Sequence, residues 1–144
     1  MDLYLAPLNN LGNCAFRKLC YLNGADYLFT EMIRVDKLIE GSGVEIKKAN
    51  IPLSMEENTI VQIICEKELQ NIKRAIEFLL NINPNIKEIN YNMGCPQSTL
   101  CKDENGGGII KNLSKLKEVA SEFSRCAHEC QVKPSIKTRL GPSR

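Results

Sequence analysis

The tightest constraint on this chain is the regular exchange of two hydrophobic periods along it. Segments with apolar residues in runs or at every second position, as in strands, alternate with segments that repeat every third and fourth residue, as in helices. "LYLAP" (Leu3–Pro7) is a short apolar run stopped by proline, and "DYLFTEMI" (Asp26–Ile33) is rich in aromatic and apolar residues. "NTIVQIIC" (Asn58–Cys65) is almost continuously apolar. "IKEINYN" (Ile86–Asn92) turns Ile89 and Tyr91 to one face and Asn90 and Asn92 to the other, and "KPSIKTRLG" (Lys133–Gly141) alternates up to its glycine. Between these strands, Phe16, Leu19 and Cys20 form a helical stripe with Gly24 as its stop. Leu69, Ile72, Ile76 and Leu79 form a second stripe, ended by Asn83-Pro84. Leu116, Val119, Ala120, Phe123 and Ala127 form a third behind Asn112 as cap. Residues 34–57 are charged and the least regular. Strands alternating with helices require parallel crossovers, so the expectation is an α/β fold with helices covering a parallel sheet.

At 144 residues the chain is long enough for one domain with a real core, and it contains no apolar run long enough to span a bilayer. "MDLYLAPLNN" has no basic n-region and does not read as a signal peptide. Seven cysteines without a secretory signal point to a reducing compartment, free thiols and a cytoplasmic location. The net charge of +2 is too small to argue for nucleic acid by itself. Its distribution is uneven: residues 111–144 hold eight Lys/Arg (Lys111, Lys115, Lys117, Arg125, Lys133, Lys137, Arg139, Arg144) against three acids (Glu118, Glu122, Glu129). Either a solvated helix face or an anionic partner would produce that pattern.

Buried parallel strands are expected to be apolar throughout, yet polar residues come late in them: Glu31, Gln62, Asn90 and Asn92, then Lys137 and Arg139. Cys95 lies just past the fourth strand. Ligand sites of parallel α/β folds lie at the C-terminal strand ends, so this convergence suggests a ligand. In "NMGCPQSTLCKDENGGGII", Gly94 lets the backbone approach closely, Pro96 restricts it, and Cys95 stands between them. A zinc reading fails on spacing. Five residues separate Cys95 from Cys101, and His128 turns away from the helix face of Cys126 and Cys130. No metal is expected. "ENGGGII" matches neither phosphate-loop pattern and reads as a flexible turn or as a backbone passing close to a ligand or another strand.

"LAP" (5–7), "FRKLC" (16–20), "TEMI" (30–33), "VQI" (61–63), "NMGCP" (92–96), "GGGII" (106–110) and "IKTRLG" (136–141) stand in order at natural spacings. Together they resemble the N-terminal part of a tRNA-dihydrouridine synthase. The resemblance implies a (β/α)₈ TIM barrel of which residues 1–144 hold the first five strands and their helices, with FMN at the C-terminal strand ends. It implies reduction of the C5=C6 bond of a tRNA uridine, NADPH as electron donor, hydride to C6 and a proton from Cys95 to C5. A thiol of ordinary pKa, about 8.5, holds that proton at neutral pH. Asn92 is expected against the uracil. Pro7 with the following Leu8 and Asn9, Gln62, Lys137 and Arg139 are expected to hold the flavin, with Lys137 at its pyrimidine edge.

"LNNLGN" replaces the family's usual M-A-G-V-T-D after "AP". A complete barrel takes roughly 250 residues. The rest of the barrel, its phosphate loops and a C-terminal tRNA-binding helical domain are therefore expected to be absent. The inward faces of Ile60, Ile64 and Ile89 would then lack opposing layers, and the chain alone would be inactive. The alternatives are another pyrimidine-reducing FMN barrel, of the dihydroorotate dehydrogenase type, and a non-catalytic truncated barrel.

Overall fold

The computed structural model describes residues 1–141; Arg144, counted above in the basic third, lies outside them. The parallel strands stand side by side in the order in which the chain makes them. β1 (Tyr4–Leu5) pairs with β2 (Tyr27–Phe29), and a two-residue β3 (Ile33–Arg34) continues β2. β2 and β3 both pair with β4 (Thr59–Ile64), β4 with β5 (Glu88–Met93), and β5 with β6 (Lys133–Thr138). A doubly wound sheet reverses its order at an inner strand, whereas this order never reverses. It fits the first five strands of a (β/α)₈ barrel.

The expected single strand over Asp26–Ile33 is corrected. Phe29 faces Ile60 and Ile33 faces Ile63, so four steps on one side answer three on the other. The extra residue makes a bulge. Within it the Thr30 N–H donates to the Ile60 carbonyl at 3.0 Å, and the Thr30 hydroxyl accepts from the Gln62 N–H at 3.0 Å.

The helices follow from their stripes and caps. α1 (Cys14–Leu22) begins where the Asn13 side chain accepts from the Phe16 N–H, and the chain leaves it through Gly24 at φ +93°. The segment 34–57 holds α2 (Val35–Ile39), α3 (Gly43–Lys48) and a 3-10 turn (Leu53–Asn58), more structure than its charge promised. Its buried acids serve the backbone: Asp36 accepts from the Glu66 and Lys67 N–H groups, and Glu45 from the Arg34 N–H. α4 (Asn71–Ile82) follows β4. After β5 come α5 (Ser98–Lys102), a 3-10 turn (Gly106–Lys111) and α6 (Leu113–Glu129), which Asn112 caps through the Lys115 N–H.

The main core lies between sheet and helices. Val61, Ile63, Ile89, Tyr91 and Met93 pack with Ile72, Ile76 and Leu79 of α4 and with Val119 and Phe123 of α6. Ile89 therefore faces the helices, not inward with Ile60 and Ile64. The other sheet face carries Gln62, Asn90, Asn92, Ser135 and Lys137, so strand alternation gives one apolar face for packing and one polar face for the site.

Candidate functional site

The polar face leads to a cavity of about 240 Å³ at the C-terminal strand ends, lined by Pro7, Leu8, Asn9, Leu11, Met32, Gln62, Asn92, Cys95, Pro96 and Lys137. Seven residues singled out from the sequence meet here: Pro7, Leu8, Asn9, Gln62, Asn92, Cys95 and Lys137. They come from the loop after β1, from β4, β5 and β6, and from the turn after β5. Arg139 does not line this cavity. Its Nε donates to the Gly94 carbonyl at 2.7 Å, and it borders a separate cavity of about 270 Å³ with Cys101, Gly107 and Ile110. A larger cavity, about 570 Å³, adjoins the first through Asn9, Met32, Cys95 and Pro96 and also reaches Glu31, Arg34 and Lys48.

The loop after β1 is set by buried partners. Arg17 of α1 is 1% exposed and donates to the Gly12 carbonyl at 2.7 Å and to the Asn50 carbonyl at 2.6 Å. Glu31, expected among the ligand-facing groups, borders the larger cavity and accepts from the Asn10 N–H at 2.7 Å. The Asn9 side chain accepts from the Met32 N–H at 3.2 Å. Glu31 and Met32 leave the bulge, which aims both at this loop. The sequence showed "TEMI" but not that its residues hold the cavity wall.

A row of hydrogen bonds crosses the polar face. The Asn92 amide nitrogen donates to Gln62 Oε1 at 2.8 Å, and Gln62 Nε2 donates to Asn90 Oδ1 at 2.7 Å. Asn90 Nδ2 then donates to the Ser135 hydroxyl at 2.9 Å, which donates to Glu88 at 2.6 Å. At the near end Asn92 Oδ1 accepts from the Gly94 and Cys95 N–H groups at 3.0 and 2.9 Å. Backbone N–H groups only donate and an ionised carboxylate only accepts, so the two ends fix every amide orientation between them. Gln62, Asn90 and Asn92 are 0%, 2% and 4% exposed, and each has a partner, as burial requires. The second amide hydrogen of Asn92 goes to the Met32 thioether at 3.3 Å, a weak acceptor and thus the one contact open to exchange with a ligand.

Of the three glycines, Gly106 and Gly107 press against the cysteine turn at the end of β5, and Gly108 against Cys101 of α5. The Gly107 N–H donates to the Cys95 carbonyl at 2.8 Å. A Cβ on Gly106, at φ +52°, would lie 2.9 Å from that oxygen, and one on Gly108 would lie 2.4 Å from the Cys101 carbonyl oxygen.

Lys137 is half-buried, and its ammonium has no hydrogen bond or ion pair among the described residues. Burial lowers its pKa, the Arg139 charge lowers it further, and the neighbouring Cys95 works the other way. An unpartnered ammonium beside the Gln62 amide and the Pro7–Asn9 loop is a donor set that fits the carbonyl-rich pyrimidine edge of a flavin. In the basic C-terminal third Arg125 pairs with Glu122 and Glu129, and Lys133 with Glu88, as on a solvated face. All seven cysteines are free thiols, and among the described residues no helix is long and apolar enough to cross a membrane.

The profile of a family described as "Dihydrouridine synthase (Dus)" matches residues 4–143. Curated relatives carry the name tRNA-dihydrouridine(47) synthase [NAD(P)(+)]. The protein of Eremothecium gossypii is 29% identical over 137 residues, 95% of this chain and 21% of its own. That of Saccharomyces cerevisiae is 30% identical over 142 residues, 96% of this chain and 21% of its own. That of Aspergillus terreus is 30% identical over 157 residues, again 95% and 21%. The chain thus spans about a fifth of the length of these relatives.

Proposed function

The chain belongs to the dihydrouridine synthase family, and from that premise we propose that it forms the uridine-reducing wall of a flavin barrel acting on tRNA. The observation that carries this reading is the meeting of Cys95, Asn92, Gln62, Lys137 and the Pro7–Asn9 loop around one cavity at the strand ends. FMN, when bound, supplies the hydride that goes to C6 of uracil, and NADPH restores it. Cys95 holds the proton destined for C5. Its thiol stands beside Lys137 at the cavity. Lys137 and Gln62 would hold the pyrimidine edge of the flavin, where an ammonium would favour negative charge. The Pro7–Asn9 loop closes one side with backbone. Asn92 touches the base by giving it the N–H that otherwise rests on the Met32 thioether. The described residues supply the first five strands of a (β/α)₈ barrel and the helices between them, and the phosphate-holding loops and a tRNA-binding helical domain would belong to other segments of such a protein. The relatives' names favour tRNA over the free pyrimidine of a dihydroorotate dehydrogenase.

The test is dihydrouridine formation on unmodified tRNA with FMN and NADPH by a protein that carries these residues in a completed barrel, measured by nucleoside mass spectrometry. Cys95→Ala is expected to lower it by about 10²-fold or more, the scale of general acid catalysis, while flavin binding persists. Turnover equal to the parent's would remove Cys95 from the role, and loss of flavin would recast it as structural.

A further inference from the structure

The turn that carries Cys95 is held more fully than a surface loop requires. Gly94 and Cys95 have two backbone N–H groups and two carbonyls, and each has a specific partner. Both N–H groups donate to Asn92 Oδ1, at 3.0 and 2.9 Å. The Gly94 carbonyl accepts from Arg139 Nε at 2.7 Å, and the Cys95 carbonyl accepts from the Gly107 N–H at 2.8 Å. Pro96 follows and brings no N–H of its own.

We propose that Asn92 and Arg139 are positioning residues for the Cys95 thiol, clamping the backbone of its turn from opposite sides so that the thiol is the turn's one uncommitted polar group. This gives Arg139 a role other than holding the flavin, and gives Asn92 one besides meeting the base. The clamp rests on the reading of Cys95 as proton donor only for what the thiol does, not for how it is held.

Three features make this a built arrangement. Asn92 is itself fixed, since the row through Gln62, Asn90 and Ser135 to Glu88 allows its amide a single orientation, oxygen toward the turn. The glycines admit the clamp: a Cβ on Gly107 would lie 3.1 Å from the Cys95 carbonyl oxygen, and one on Gly94 would lie 3.2 Å from the Thr138 backbone, next to Arg139. Leu100 of α5 packs with Met32 and Ile64 and is joined by Cys95, which closes the apolar side of the turn. A proton donor works only within hydrogen-bond reach of the reacting atom, and a displacement of about 1 Å can lower the rate 10²-fold. Holding the backbone at all four polar points is the means by which this chain keeps that distance.

The test combines amide hydrogen exchange with iodoacetamide labelling of the protein, read by peptide mass spectrometry. In Asn92→Leu the Gly94 and Cys95 amides lose their acceptor and are expected to exchange about tenfold faster or more. Cys95 is expected to alkylate several-fold faster, while buried Cys65 and Cys126 stay unlabelled. Asn92→Asp keeps the acceptor oxygens and is expected to restore protection of the turn. Arg139→Met, at an exposed position, is expected to speed Cys95 alkylation without a change in the core and serves if Asn92→Leu fails to fold. Parental exchange and labelling in Arg139→Met, or labelling of Cys65 and Cys126 along with Cys95, would overturn the clamp. Clamp results as expected together with an active Cys95→Ala would refute only the assignment of the thiol as proton donor.

Discussion

Lys137 is where the site and stability pull in opposite directions. Burial lowers the pKa of its ammonium, and no acid among the described residues compensates it. Its pKa is thus lower in the folded protein than in the unfolded chain. Between the two values the unfolded chain binds more protons, so folding gains stability as pH rises through that window toward the unfolded value near 10.5. Below the folded value the penalty is present in full and does not vary with pH. Lys137→Met is therefore expected to melt higher than the parent at pH 7, with the difference shrinking toward pH 10. A lower melting temperature at pH 7 would show that the ammonium is stabilising. The position of Lys137 was legible in the sequence because strand alternation and the strand-end rule place it without knowledge of side-chain torsions. The same logic located Gln62, Asn92 and Cys95. Arg139 escaped it: past the last strand residue, alternation no longer says where a long side chain goes, and this one turns back onto the Gly94 carbonyl.

At the scale of elements, the bulge between β2 and β3 shapes the cavity most. It lets one strand supply Thr30 to the sheet interior and turn Glu31 and Met32 to the loop after β1. Its pivot is the Thr30 hydroxyl, buried, accepting from the Gln62 N–H and donating to the Glu31 carbonyl at 3.0 Å. Thr30→Val keeps the shape and leaves a buried N–H without a partner, which costs about 1–3 kcal/mol. Urea unfolding is expected to show that loss in Thr30→Val and little of it in Thr30→Ser; equal stability of all three would mean the bulge is held by its backbone alone. The long helices were readable because α4 and α6 have stripes of several turns. The short α2 and α3 were not, since one turn or two gives no period to count, and acids such as Asp36 and Glu45 resemble surface charge until their backbone partners are seen. The glycine triplet was readable as a close approach, but what it approaches is 11 residues back in the chain at Cys95, which no local pattern reveals.

For the molecule as a whole, the order of elements was legible and the sheet edges set its behaviour. Among the described residues β1 pairs only with β2, and β6 only with β5. β1 has two residues and is covered in part by the stacking of Tyr4 on Tyr27, with ring centroids 4.6 Å apart. β6 has six residues and leaves Ile136 43% exposed, the profile of an edge that recruits another strand. The 144-residue chain, purified by itself, is expected to self-associate with concentration and to retain flavin weakly. Light scattering behind gel filtration, with the visible spectrum of each peak, checks both. A yellow monomer with stoichiometric FMN would show that five strands suffice.

The row from Asn92 to Glu88 has an electrical consequence. Each of its hydrogens is donated toward Glu88, so the small dipoles of two asparagines, a glutamine and a serine point the same way and add along the sheet. Their positive ends lead to a carboxylate that Lys133 neutralises at 2.7 Å, and each inner negative end meets the next donor in the row. The negative end of the row is Asn92 Oδ1, and the Gly94 and Cys95 N–H groups lie against it at 3.0 and 2.9 Å. That end of the row therefore faces the backbone of the cysteine turn, and the row is tied at both ends, to that turn and to the Glu88–Lys133 pair.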